Sequence, residues 1–526
     1  MLTSPTQPLV EFLYGPVLTY VRAPRDIIYW FDSLLTVPNP TGWPTTFQFF
    51  QRGNSALLTG HLHLLERELI ACGISYQVHN RPPMLNLGNL DPNILQTEKQ
   101  PNFVLKPFQV STTRKMLLGR RGGIQLATGA GKTASYIAAL KWLGQIEGKP
   151  VSSLTIVTVT NLAKQMVTRM KRAGLKASIL RRDSWGNADH IVAVINGLHR
   201  SWSASNPKII KMLANRRVLC LDEAHHGQAE MCYQVISACQ AEYRWFLSAT
   251  LYANRANPYA HVGDMRLLGQ SGPTLAILPA KFLWESGYVA EPRITFVPMS
   301  WPDASDLYST RIWGRRIDSA VWRGTGKNAA TTGVEWDLIV NNTYRNEFIR
   351  RYVYWRMKQE PEQTKVVILV QRIDHGKILQ RMLSMVGVRS AFCFGGHKVV
   401  TLNNAGDQRE WVDRKDSTLS DFDVGNLKVL IGSQKFDEGQ SFPLFSDLIL
   451  AQAGRGGEAN RRVYQRVGRG LHSGIPVHVV DFYDQTHRMV QRQAEARLLA
   501  LHNEGYPVQV AYPPEVYWKI SGIPDL

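Results

Sequence analysis

The sequence predicts an α/β protein: two parallel-sheet domains behind a small amino-terminal α+β unit. Three observations carry that prediction. From Lys106 onward, short apolar and β-branched runs alternate with helix-length segments, as in a parallel sheet covered by helices. The alternation starts afresh near residue 335. Ahead of both lies a stretch of different texture, and 526 residues are too many for one core, suggesting about three domains.

Taken in order, residues 1–105 form the small unit. Phe12 to Tyr20 and Thr45 to Arg52 read as strands rich in aromatic and β-branched residues. Thr59 to Cys72 reads as a helix, since Leu62, Leu65, Leu69 and Cys72 fall on one face, and Gly73 ends it. Ile74 to His79 returns as a strand, and Arg81 to Pro101 reads as a linker. Residues 106–295 form the first parallel-sheet domain, with strands at Ile124–Leu126, Leu154–Val159, His190–Ile195, Val218–Leu221 and Trp245–Leu247. Residues 296–334 make a connector and 335–490 the second domain, before a tail over 491–526. The second domain's strands are Lys365–Val370, Ser390–Phe394, Lys428–Ile431, Asp447–Ala451 and Val477–Phe482.

Chemistry enters at Ile124-Gln-Leu-Ala-Thr-Gly-Ala-Gly-Lys-Thr133, a strand, a glycine loop and the start of a helix. Gly129 and Gly131 let successive N–H groups point at one anion, where the helix adds its positive dipole end. Lys132 then reaches the β- and γ-phosphates of a nucleotide, and the Thr133 hydroxyl holds Mg²⁺. Leu126 stands where the full phosphate-loop pattern has glycine, so the form is the relaxed TGxGKT, and a chance glycine turn is the competing reading.

Val218-Leu-Cys-Leu-Asp-Glu-Ala-His225 is an apolar strand ending in two acids. At the carboxyl edge of a sheet, Asp222 reaches Mg²⁺ through water and Glu223 orients the attacking water, although acid pairs also occur in plain turns. Ser248-Ala-Thr250 follows the next strand and is weak evidence by itself. Asn460-Arg-Arg-Val-Tyr-Gln-Arg-Val-Gly-Arg-Gly470 presents arginines that suit either a transferring phosphoryl group or a nucleic-acid backbone. In the connector, Arg311, Arg315 and Arg316 interleave with Trp313, which fits phosphate contact plus base stacking or, equally, a solvated excursion.

The formal charge of +19 points to a polyanionic partner. Residues 1–105 hold 6 basic against 7 acidic side chains, whereas the remainder holds 55 against 35, so the phosphate contacts belong to the rear four-fifths. Cys72, Cys220, Cys232, Cys239 and Cys393 are scattered without a CxxC pair, which favours a reducing cytoplasm over structural zinc. No apolar run approaches the ~20 residues of a bilayer span, and the first residues lack the pattern of a signal peptide.

The ordered set resembles a superfamily 2 helicase or translocase. It runs Phe108-Gln109, ATGAGKT, Val157-Thr-Val-Thr160-Asn-Leu, LDEAHH, LSATL, Glu438-Gly-Gln-Ser-Phe-Pro443 and Gln465-Arg-Val-Gly-Arg. Leu268-Gly-Gln-Ser-Gly272, Phe282 to Pro292, Asn341-Asn-Thr-Tyr-Arg-Asn346, His375-Gly-Lys-Ile-Leu and Val480-Asp-Phe-Tyr-Asp484 look like the type III restriction/XPB/UvsW branch. Leu57-Leu-Thr-Gly60 and the following helix resemble the small amino-terminal domain of phage UvsW-like helicases, implicated there in engaging duplex DNA.

The resemblance implies two RecA-like domains with the ATP site in the cleft between them, and ATP and Mg²⁺ as cofactors. Gln109 would read adenine, while Thr128, Gly129, Ala130, Gly131, Lys132 and Thr133 cradle phosphate and metal. Asp222 would coordinate the metal, Glu223 position water, Gly439 sit by the nucleotide, and Arg466 and Arg469 include the arginine finger. Thr160, Asn196 and Ser433 would touch the DNA backbone. Two departures stand out: His472 where a second arginine is usual, and Ser441 where many members have Asp. The implied function is an ATP-dependent motor on duplex, fork or junction DNA, in branch migration or fork remodelling, working beside replication or recombination proteins. A motor subunit of a restriction-type complex and a non-hydrolysing DNA-binding scaffold are the alternatives, the latter opposed by the intact Lys132, Asp222 and Glu223.

Overall fold

The computed structural model describes residues 9–39, 44–252, 257–299, 336–395, 398–402, 407–413, 417–433, 445–452, 477–485, 488–503 and 505–511. The chain divides into two compact units, Met1–Leu278 and Pro279–Leu526. Among the described residues no helix is long and apolar enough to cross a membrane.

The first unit opens with a five-stranded sheet in the order Phe50–Gln51, Ala56–Leu58, Leu18–Arg22, Val10–Leu13, Tyr76–His79. Its pairings are antiparallel except the last, which is parallel. The run expected as one strand over Phe12–Tyr20 is therefore a hairpin turning near Gly15. Helix Arg25–Leu34, which the sequence reading leaves out, buries Ile27 and Phe31, one turn apart on one face. The expected Thr59–Cys72 helix is a 3₁₀ turn over Thr59–His61 followed by helix Leu62–Ala71.

This small sheet does not close its core alone. Phe12, Phe31, Leu65 and Leu69 share one buried cluster with Met265 and Leu268 of helix Val262–Ser271. His61, wholly buried, bonds the Met265 carbonyl through Nε2 at 2.8 Å. Burial holds its imidazole neutral, with a pKa lowered to about 4. Arg121 clamps the same joint by donating to the carbonyls of Ser271, Gln270 and Pro16.

The larger sheet of this unit has seven parallel strands in the order Ala177–Ile179, His190–Val194, Ser153–Val157, Val218–Asp222, Tyr243–Ser248, Arg121–Leu126, Thr274–Leu278. The central strands are buried throughout, so they read in the sequence as apolar runs instead of alternations. Because every strand points the same way, all the loops that leave carboxyl ends lie along one edge.

The second unit holds a nine-stranded sheet: Gln408–Val412, Lys398–Leu402, Ser390–Phe394, Val429–Ser433, Val366–Val370, Asp447–Leu450, Val477–Asp484, Pro292–Met299, Val508–Val510. Only the pairings that involve Lys398–Leu402 are antiparallel. Val366, Ile368, Ile431, Ile449, Val480 and Phe482 meet Phe348 and Val353 of helix Thr343–Gln359 in its core. Strand Pro292–Met299 pairs with Val477–Asp484 over its whole length, so the second sheet takes residues that the sequence reading gave to a first domain ending at 295. Prolines at 292 and 298 hide that strand from a pattern search.

Candidate nucleotide site

At the edge where the seven parallel strands end, strand Arg121–Leu126 enters a loop and leaves it as helix Lys132–Glu147. Gly129 and Gly131 have φ of 94° and 76°, in the left-handed region that side chains avoid. At Gly131 the demand is also steric, since a Cβ there would lie 2.3 Å from Gln109 Nε2. The first N–H groups of a helix lack intrahelical acceptors, so the start at Lys132 aims unpaired donors and a positive dipole end at the loop. The Lys132 ammonium donates to the Leu126 carbonyl at 3.2 Å, which places it inside the loop.

Gln109 is buried and braces this loop from behind. Its Nε2 donates to the Ala130 carbonyl at 2.9 Å, and its Oε1 accepts from the Lys106 N–H at 2.9 Å. Its amide thus has two protein partners. Thr113 ties the same helix to the loop helix, donating from Oγ1 to the carbonyls of Gln109 and Ser135.

The acid pair ends the neighbouring part of the sheet. Asp222 is the last residue of strand Val218–Asp222 and accepts from the Glu223 N–H at 3.1 Å. Burial, with the Glu223 charge second, pushes its carboxyl up to about 6, against the pull of Lys132, the Glu223 N–H and Arg169. Glu223 stands at φ 51°, a left-handed conformation that a non-glycine residue adopts at a cost of about 1 kcal/mol.

From Glu223 a polar path leads to the Ser-Ala-Thr segment. His225 Nδ1 lies 3.5 Å from a Glu223 carboxylate oxygen and shares a 3.1 Å hydrogen bond with Ser248 Oγ. Ser248 Oγ also donates to the Thr250 carbonyl at 2.9 Å and accepts from the Thr250 N–H at 3.1 Å. Sequence reasoning singled out the acids and the hydroxyls but not His225 as the link between them. The adjacent placement of LDEAHH and LSATL on paired strands was the available signal.

Two residues at this corner carry the oxygen donors that a divalent cation would need. Thr133, in the first turn of the loop helix, and Asp222 supply hard oxygen donors, and a protein cation already stands beside both. Arg169 of helix Thr160–Arg172 donates from Nη1 to Thr133 Oγ1 at 3.2 Å and acts electrostatically on Asp222. Arg169 is the second residue the sequence reading missed.

Farther along the same edge, Thr160 opens helix Thr160–Arg172 and Asn196 lies in the first turn of helix Ile195–Ser203, both exposed. The strands that lead to them are neighbours, with Val157 opposite Val194. In the second unit, Ser433 ends strand Val429–Ser433 and is 6% exposed. Gly439, Arg466, Arg469, His472, Arg311, Trp313, Arg315 and Arg316 lie outside the described residues.

Residues 102–253 match the family model of the type III restriction enzyme, res subunit, a helicase-superfamily domain that contains the loop and both acids. No curated protein sequence matches the chain. Among solved structures, Dbp5 of S. cerevisiae, bound to RNA and ADP BeF3, is 15% identical with a TM-score of 0.51 over 82% of this chain and 97% of that one. UvsW of bacteriophage T4 is 13% identical with a TM-score of 0.40, over 96% of this chain and 99% of that chain. The Hef helicase domain of Pyrococcus furiosus is 14% identical with a TM-score of 0.47, over 74% and 98%. At such identities the likeness to Dbp5 is one of fold alone, and the two lower scores carry no argument.

Proposed function

We propose that this chain, a superfamily 2 helicase of the type III restriction/UvsW-like branch, hydrolyses Mg²⁺·ATP to move on duplex or branched DNA, migrating branches or remodelling forks. One observation carries the reading. A single edge of one parallel sheet brings together an anion-binding loop, an acid pair and the exposed Thr160 and Asn196.

In this reading the N–H groups of the loop and the Lys132 ammonium hold the β- and γ-phosphates. Thr133 and Asp222 hold Mg²⁺, which when bound neutralises charge on the phosphate oxygens. Glu223 accepts a proton from, or orients, the attacking water, and His225 connects its carboxylate to Ser248. Gln109 stabilises the loop by its two hydrogen bonds, whether or not it also meets adenine. The exposed Thr160 and Asn196 contact the DNA backbone, a role for which the buried Ser433 is not placed, and Arg466 or Arg469 supplies the finger. The small amino-terminal sheet serves as accessory unit, and the seven-stranded and nine-stranded sheets are the cores of two motor domains.

The description of the matched family favours a second reading, a motor subunit of a restriction-type complex. The two readings differ in whether the isolated chain rearranges DNA. Incubated with ATP and a synthetic four-way junction, the purified protein is expected to convert it to duplex arms, and Lys132→Ala to bind the junction without converting it. ATP hydrolysis with no junction or fork conversion would instead favour the restriction-type motor.

A further inference from the structure

The Thr133 hydroxyl is engaged by a cation that belongs to the protein. Arg169 Nη1 donates to Thr133 Oγ1 at 3.2 Å. Its side chain is otherwise exposed, in the last turn of helix Thr160–Arg172. The basic cluster Arg169, Lys171 and Arg172 looks in the sequence like an ordinary complement to a helix dipole, which is why nothing there singles out Arg169. The structure separates it from the other two by what it touches.

A guanidinium on Thr133 Oγ1 and a Mg²⁺ ion held by the same oxygen would be close neighbours of like sign. Water screens two charges at an exposed position, but a divalent ion on the same oxygen still disfavours the guanidinium by more than one exposed hydrogen bond returns. The two cations therefore exclude each other. Arg169 also lies nine positions after Thr160 on one helix, about 13 Å along its axis.

We propose that Arg169 is a positioning residue whose bond to Thr133 must break when Mg²⁺·nucleotide loads, so that occupancy of the site is felt along helix Thr160–Arg172. The inference rests on the reading of this site as a Mg²⁺·ATP site. Before loading, Arg169 acts electrostatically on Asp222. After loading, the carboxyl end of the helix loses its tie to Thr133. The Thr160 end of the helix is the end proposed to meet DNA.

The test is equilibrium binding of a fluorescent ADP analogue to the full chain across a Mg²⁺ titration, for wild type, R169Q, R169K and Lys132→Ala. R169Q is expected to need about three- to tenfold less Mg²⁺ for half-saturation, since one exposed charge-assisted bond no longer has to break. R169K, which keeps the charge, stays near wild type. Amide hydrogen exchange over residues 160–172 is expected to rise when Mg²⁺·ADP is added to wild type and to be already high in R169Q. An unchanged or higher Mg²⁺ requirement in R169Q overturns the exclusion, and exchange that is insensitive to nucleotide in wild type overturns the relay. If wild type shows no Mg²⁺-dependent binding, or Lys132→Ala binds as well as wild type, the Mg²⁺·ATP reading itself fails.

Discussion

Asp222 carries an energetic conflict that can be measured separately from activity. Its carboxyl is raised from 3.8 to about 6, chiefly by burial and next by Glu223. An acid with a raised pKa binds its proton more tightly folded than unfolded, so this group lends stability at low pH and withdraws it as pH rises from about 4 through 6. At pH 7 the ionised side chain is a net cost, and Asp222→Asn is expected to stabilise the protein by roughly 1–3 kcal/mol while abolishing hydrolysis. Metal binding needs the carboxylate. Hence the apparent Mg²⁺·nucleotide affinity of wild type should fall about tenfold per pH unit below 6, and that of Asp222→Asn should be flat. Thermal melts at pH 5 and pH 7, with nucleotide titrations at the same values, check both. A melting point for Asp222→Asn below that of wild type at pH 7 would contradict this assignment.

At the scale of elements, the joint between the small sheet and helix Val262–Ser271 decides how the accessory region can be studied. Met265 and Leu268 are buried against Phe12, Phe31 and Leu65, and His61 is buried on the Met265 carbonyl. Deleting residues 1–100 therefore strips cover from the motor's own helix. Its melting temperature is expected to drop by ten degrees or more, about what several lost core side chains cost. A truncated protein that melts like wild type would show the two cores to be independent. Substitution of the exposed Tyr20 and Arg22 tests the proposed DNA role of this sheet without that damage.

The same scale explains what the sequence made legible. Strands such as Ser153–Val157 and Val366–Val370 are buried on both faces, so unbroken β-branched runs announce them, and the loop and acid pair follow at their ends. Arg25–Leu34 escaped because Ile27 and Phe31 alone make too short a stripe, and Pro292–Met299 because its prolines break the pattern. The branch-specific motifs were legible as resemblance but not as physics. In the structure Asn346 bonds His375 at 2.8 Å, while Asp481 and Asp484 pair with Arg497 and Arg345, all buried inside the second unit. Likewise the carbonyls of Gln270 and Ser271, in Leu268–Gly272, accept from Arg121 and Arg244. These segments hold domains together. His225 and Arg169 stayed hidden because the contacts that single them out, to Ser248 and Thr133, are made across the fold with residues of ordinary type.

At the scale of the whole molecule, the proposed motor needs a permanent cation at the transferring phosphoryl group. Arginine carries a permanent planar cation and histidine does not, so the role at the phosphoryl group falls to an arginine and not to His472. Arg469→Ala is expected to cost at least about 10²-fold in turnover, and His472→Ala much less. Normal turnover of Arg469→Ala on saturating DNA, beside a defective His472→Ala, would transfer the role to histidine. The central claim, that this chain is a DNA-driven ATPase, meets its most direct test in steady-state ATP hydrolysis without nucleic acid and with single-stranded DNA, duplex DNA, a four-way junction or RNA. The account predicts slow basal hydrolysis, strong stimulation by duplex and most of all by the junction, and stimulation that fades steeply with salt. Stimulation by RNA alone, or hydrolysis that no DNA changes, would contradict it.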